Sequence, residues 1–525
     1  MTSLSTAARG IALAAACAAL AAQAADSVTF CSSASPDGFD IAQYETVATN
    51  DAAGLTVYDQ LLQMKPGTTE VLPGLAKTWE ISADGLQYTL RLRPGVKFHT
   101  TPWFKPTRDM NADDVLWSLN RINDKAHPAH GMARNGYPYW AGMSMPELLK
   151  SVVKLDEMSL RITLTRPESP FLANLTMSAI ASVFSAEYAG QLQKAGKLDQ
   201  INTQPVGTGP YVFKSYQKDA VLRFAANPAY WGGAPKLDLI FAITPDPSVA
   251  IQRVKAGECQ VANIGGDNAR SFDGDARNAV LLAKPLVTSY IAPNATRKFL
   301  SDKRFRQALS LAIDRATFVQ SVHGGFAAPA GSFLPPGIWS HDAGLKTVLD
   351  LERARQLVKD AGYDGSELSL FATARSSDIK RAVELLQADW AQIGVKVKPQ
   401  LMELGELYKR TGKAEHDLAL LSWFSDNGDP DNFFTPNLSC AAAEGGGNKA
   451  HWCHKGFDDL LGAARGTADI RKRRELYRKA QRLLFDETGL IPLVNKQDVF
   501  AVSKRIKGFL ATPFGGSEFR FVSLN

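Results

Sequence analysis

Leu86, Tyr88, Leu90 and Leu92 occupy alternate positions of "LQYTLRLRPGVKF", which predicts a strand with one buried face. The period then changes. In "NADDVLWSLNRI", Val115, Leu116, Leu119 and Ile122 recur at helical spacing. Asn111 stands where a cap is needed, and Asp113 and Asp114 lie in the first turn, where the positive end of a helix favours acids. "VVKLDEMSLRITLTRP" predicts two strands around a turn, and "QPVGTGPYVFKSYQKDAVLRFAAN" a Gly/Pro loop followed by a hairpin. Strand and helix alternate in this way from Ser27 to Pro285.

Beyond that point the texture is more helical. "DKRFRQALSLAID", "DLERARQLVKDAGY" and "DIKRAVELLQADWAQIG" are amphipathic helices that begin near Asp and end near Gly, and strand-like runs such as "VKVKPQLM" and "LALLSWF" follow. After a last long helix, "IRKRRELYRKAQRLLFDE", the chain returns to strand character in "GLIPLVNKQDVFAVSKRIKGFLATPFG". A tail that resumes the β character of the beginning predicts an α/β protein of two lobes. Residues 26–285 and 495–525 would form the first lobe and residues 286–494 an inserted second. A chain of 525 residues has material for such a division.

The N-terminus changes the picture more than the overall composition does. One cation, Arg9, precedes the apolar "IALAAACAALAA", and small residues lead to "DSVTF", the pattern of an export signal cleaved near Ala24 or Ala25. The apolar run is too short to span a bilayer. A lipid-modified Cys17 is a lesser alternative, because that run is short even for a signal. Cleavage leaves Cys31, Cys259, Cys440 and Cys453, and an even number in an exported chain favours disulfides. Three pairings are open. Cys440 with Cys453 is the local one and would leave Cys31 for Cys259, while "HWCH", with His451 and His454 around Cys453, keeps a metal site as the rival. The net charge of +6 comes without a Lys/Arg block, so nucleic acid and acidic lipid are not indicated.

Catalytic signatures are missing. The chain has no GxxxxGK[ST], GxGxxG after a strand, HExxH or GxSxG, so a secreted metal-dependent hydrolase would lack a visible ligand set. "DNGDPDNF" offers Asp426, Asp429 and Asp431, but an EF-hand starting at Asp426 would need Gly where Asp431 stands and Glu where Asn437 stands. A large exported two-lobe chain without catalytic motifs points to a binding protein with its ligand between the lobes, with no cofactor and no metal expected.

The residues that carry a resemblance run the length of the chain: "FCSSASPDGFD", "GTTEVLPGLAKTWEISADGLQYTLRLRPGVKFH", "NADDVLWSLNR", "PVGTGPY", "YWGG", "ECQV", "RFRQALSLAID", "QADWAQIGVKV" and "NGDPDNFFTPNLSCAAAEGG". Together they resemble the peptide- and nickel-type solute-binding proteins of bacterial ABC importers, family 5. They are most similar to its dipeptide-binding branch, and "PWFKPTRDMNADDV" and "AHWC" are shared with an antimicrobial-peptide uptake branch. The resemblance implies a two-lobe periplasmic-binding-protein fold of the large peptide-binding type, with a cleft and a hinge, and the disulfides Cys31–Cys259 and Cys440–Cys453. It further implies a monomeric periplasmic receptor that captures dipeptides or short oligopeptides and delivers them to an inner-membrane permease; antimicrobial peptides or haem in the same cleft are the alternative.

By the same resemblance Asp426 is the anchor for the peptide's ammonium group. Trp423 and Phe424 would wall the cleft, and Gly207, Thr208 and Gly209 would offer backbone contacts from the other lobe. Asp429 and Asp431 read instead as turn residues whose acids satisfy backbone N–H groups. The peptide's carboxylate calls for an arginine in the loop "FATARSSDIKRAVELLQADW", which is shorter here than in the dipeptide-binding branch. Arg375 is the nearest candidate and Arg381 the second.

Overall fold

A computed structural model describes residues 26–133, 136–374, 376–444 and 447–525; the expected export signal with Cys17, and Arg375, lie outside the described residues. Two large sheets organise the chain. The first has seven strands in the order Asn278–Ala283, Asp498–Ser503, Val261–Asn263, Ser27–Ser32, Asp238–Ile243, Val221–Ala226 and Tyr211–Gln217. Ser27–Ser32 is central and parallel to both neighbours, so its apolar side chains are covered on two faces. The second sheet has six strands in the order Ala327–Pro329, Ile491–Lys496, Val287–Pro293, Leu418–Phe424, Leu368–Thr373 and Val397–Met402. Val287–Pro293 lies inside it and is buried at every residue.

The chain passes from the first sheet to the second between Ala283 and Val287, and returns between Lys496 and Asp498. Each sheet has its own apolar core, and the two define the two-lobe architecture. A four-stranded antiparallel sheet extends the first lobe, in the order Ala76–Ile81, Gln87–Leu92, Ser159–Leu164 and Leu149–Asp156. Tyr88, Leu90 and Leu92 point into the core, as their alternation predicts.

The helices follow their caps. Ala112–Asn123 begins with a reciprocal box, in which Asn111 accepts from the Asp113 N–H and Asp114 accepts from the Asn111 N–H. Asp302, Asp350 and Asp469 cap Lys303–Leu311, Leu351–Asp360 and Ile470–Glu487. Ser377–Ala391 begins near Asp378, as expected. Ser376, in extended backbone, is the cap, and Asp378 sits inside the first turn, where it pairs with Arg381 at 2.6 Å.

A correction concerns "SDNGDPDNFF", which read as turn. The turn is confined to Ser425–Gly428, because Asp429 accepts the Asp431 N–H and launches the helix Pro430–Leu438 with proline at its first position. Both disulfides are formed as expected, Cys31–Cys259 and Cys440–Cys453. Cys453 is thereby withdrawn from any metal, while the His451 ring meets the Thr411 carbonyl at 2.8 Å and His454 caps the following helix.

Candidate ligand-binding cleft

A cavity of about 370 Å³ lies between the lobes. The first lobe contributes the segment around Tyr44–Asn50, Tyr139, Trp231 and the tail from Thr512 to Arg520; the second contributes Phe424, Ser425 and Asp426.

Each wall is held by buried polar contacts. Ahead of Tyr44, the Asp40 carboxylate takes two hydrogen bonds from the Arg121 guanidinium, at 2.6 and 2.7 Å, with both side chains fully enclosed. This ties the segment to helix Ala112–Asn123, and the Arg121 charge holds Asp40 below the usual carboxylate range even though burial opposes it. The Asn202 amide donates to the Tyr44 hydroxyl at 2.7 Å, and the Ser178 hydroxyl to Asn50 at 2.5 Å. Asp51 accepts the Ser517 N–H at 2.8 Å, which fastens the C-terminal tail, and burial pushes its carboxyl up to about 8.

On the opposite wall, Leu418–Phe424 ends with Phe424 across from Val287, and the Ser425 N–H continues the pairing to the Leu286 carbonyl. The chain then turns sharply through Gly428 at φ 72°, where a Cβ would also meet Thr69 of the first lobe at 2.6 Å. Asp426 is fixed twice by one residue: Asn432 accepts its N–H at 3.0 Å and donates to its carboxylate at 2.9 Å. Burial raises the Asp426 carboxyl to about 6, against the Asn432 hydrogen bond; the Glu45 charge raises it further and the Tyr139 hydroxyl opposes. Among the described residues no cation pairs with Asp426. Asp429 lies deeper, where it accepts two hydrogen bonds from Arg473 at 2.7 and 2.8 Å; Asp431 accepts from Thr435 and lies 3.5 Å from Arg465. Three neighbouring aspartates thus have three environments.

The expected site residues separate. Asp426 and Phe424 reach the cavity. Trp423 is not part of its lining; it packs with the second lobe's core, its indole 3.4 Å from Asn432. Gly207, Thr208 and Gly209 also stay out of the lining. The Thr208 hydroxyl donates to Asp59, the Gly207 and Gly209 carbonyls accept from His99, and a Cβ on Gly207 would stand 2.0 Å from the Val57 carbonyl oxygen. Their backbone groups serve the first lobe. Arg381 is outside the lining and holds Asp378 at 2.6 Å and Asp267 of the other lobe at 3.3 Å. Asn432, Tyr139 and Glu45 are site residues that the sequence reading missed. Asn432 carried a signal, since a polar side chain in the first turns after a capped start can reach back to the loop.

Two α/β lobes enclosing a cavity, with a carboxylate at its wall that no cation pairs among the described residues, have the architecture of the periplasmic-binding-protein class. The chain matches the family described as bacterial extracellular solute-binding proteins, family 5, over residues 70–445, and it belongs to that family. It is 47% identical over 516 residues to di/tripeptide-binding protein 4 of Pseudomonas aeruginosa (strain UCBPP-PA14), covering 97% of this chain and 96% of that one. Its fold is similar to HbpA2 from Haemophilus parasuis (TM-score 0.89, 36% identity, 95% of this chain and 100% of that chain). It is also similar to a dipeptide-binding protein from Pseudoalteromonas sp. SM9913 solved with Met-Leu (TM-score 0.81, 33% identity, 95% and 100%).

Proposed function

We propose that this chain is the substrate-binding protein of an ABC importer and captures dipeptides or short oligopeptides between its lobes. The observation that carries this is Asp426: a carboxylate with no cationic partner among the described residues, held by Asn432 at the wall of an interlobe cavity. A free peptide supplies the missing charge at its ammonium end. The names of the relatives support the substrate class.

At the peptide's other end we assign the carboxylate to Arg375, since Arg381 is already engaged by two aspartates. The lobes would close about the two crossovers, residues 284–286 and 497, dividing the chain close to 285/286 and 494/495. Export through cleavage near Ala24 or Ala25, a periplasmic location, a monomeric state and delivery to an inner-membrane permease complete the proposal. No helix among the described residues is long and apolar enough to cross a membrane.

Mass spectrometry of ligands released on denaturing the purified protein, followed by calorimetry with the released species, tests it. Short peptides with free amino groups are expected; recovery of no peptide, together with no heat from any di- or tripeptide, would refute it. Chelator-sensitive cleavage of the peptides would make the chain an enzyme instead. Peptide amides that bind as well as the free acids would remove Arg375 from its role.

A further inference from the structure

Six charged side chains line the cavity, and four of them are accounted for within the protein. Asp59 accepts from Thr208 at 2.8 Å, Tyr230 at 3.0 Å and Trp231 at 2.8 Å. Glu518 and Arg520 form an ion pair, and Lys65 pairs with Glu70 at 2.9 Å. Asp426 and Glu45 remain. Glu45 is exposed and, among the described residues, its carboxylate has neither a hydrogen bond nor an ion pair. The two acids come from opposite lobes, and each bears on the phenol of Tyr139: burial raises that hydroxyl most, and the charges of Asp426 and then Glu45 follow. The Glu45 charge also acts on Asp426 itself. One ammonium group neutralises one of these carboxylates and leaves the other facing the ligand.

We infer that Glu45 is a specificity-determining residue, and that this receptor favours peptides whose first residue carries a cationic side chain. Glu45, Tyr139 and Asp426 line one cavity, with Glu45 and Asp426 contributed by opposite lobes. With the α-ammonium on Asp426, the side chain of the same first residue is the ligand group placed to meet the second carboxylate. A lysine or arginine there brings a second positive charge to Glu45, whereas an acidic side chain meets like charge. This rests on the peptide-binding function proposed above and adds the class of peptide.

The test is calorimetry on the intact, ligand-stripped protein with Ala-Ala, Lys-Ala, Ala-Lys and Glu-Ala. An ion pair at a partly exposed wall predicts that Lys-Ala binds roughly 5–10-fold tighter than Ala-Ala. Ala-Lys should gain less. In Glu45→Gln the Lys-Ala advantage over Ala-Ala is expected to fall within about twofold, and in Glu45→Lys the preference should move to Glu-Ala. Added salt should shrink the wild-type advantage. A Lys-Ala to Ala-Ala ratio that is the same in wild type and Glu45→Gln would overturn the inference, as would equal weakening of both peptides. If Ala-Ala binds and needs Asp426 but the Lys-Ala to Ala-Ala ratio is indifferent to Glu45, only this inference falls. If no peptide binds, the proposed function falls with it.

Discussion

Lowering the pH should weaken peptide binding through Asp426, and its magnitude follows from the site. An ammonium group pairs with the ionised carboxylate, so a protonated Asp426 must lose its proton before the peptide is received. In the unliganded protein burial sets this carboxyl at about 6. Bound ammonium then pulls it down, so binding below that value releases a proton. Linkage gives an apparent Kd that is flat above pH 7, about tenfold weaker at pH 5 and about thirtyfold weaker at pH 4.5. Isothermal titration of Ala-Ala in two buffers of different ionisation enthalpy measures both Kd and the protons released. Asp426→Asn should abolish the pH dependence and, at pH 7.5, lose about 2–5 kcal/mol of binding. The same raised pKa means that ionised Asp426 destabilises the unliganded fold above pH 6, so the ligand-free variant is expected to melt no lower than wild type at pH 7.5. A Kd constant from pH 7.5 to 4.5, or an Asp426→Asn profile parallel to wild type, would refute the assignment.

Gly207→Ala should lower Tm by several degrees, because its Cβ would stand 2.0 Å from the Val57 oxygen and forced overpacking of this kind typically costs about 1–3 kcal/mol; an unchanged melt would show that the contact relaxes freely. Asp429→Ala leaves Arg473 buried without its carboxylate and is expected to destabilise by about 3–5 kcal/mol in urea titration, whereas Asp429→Ala with Arg473→Leu should recover part of the loss. Failure of the double variant to recover anything would mean that the pair is not the cause. Replacing Cys440 and Cys453 together by Ser should remove roughly 2–4 kcal/mol, read from the shift in urea midpoint; no shift would mean that the bridge adds nothing to a loop already held by Asn448.

Much of the architecture was legible because it is local. Alternation at Tyr88, Leu90 and Leu92 and the cap at Asn111 need only a few neighbouring residues to act, and the structure keeps them. Asp302 and Asp350 worked as caps for the same reason. At the start of Ser377–Ala391 the cap is Ser376, and Asp378 takes a place in the first turn.

The sequence by itself determined the α/β character, the export signal pattern, the even set of cysteines and Asp426 as the acid to watch. Tertiary structure decided which charges are free. Asp426, Asp429 and Asp431 sit within six residues and look alike in sequence, but Arg473, forty-four residues beyond Asp429, neutralises that one, and Arg465 attends Asp431. Gly207–Gly209 resembled a ligand loop, but Val57 and His99 engage the Gly209 N–H and the two glycine carbonyls within the first lobe. Glu45 had no local signature, because its meaning lies in having no partner among the described residues and in a cavity shared with a residue far along the chain. Electrostatic consequence depends on distance and burial in space, and a linear chain states neither.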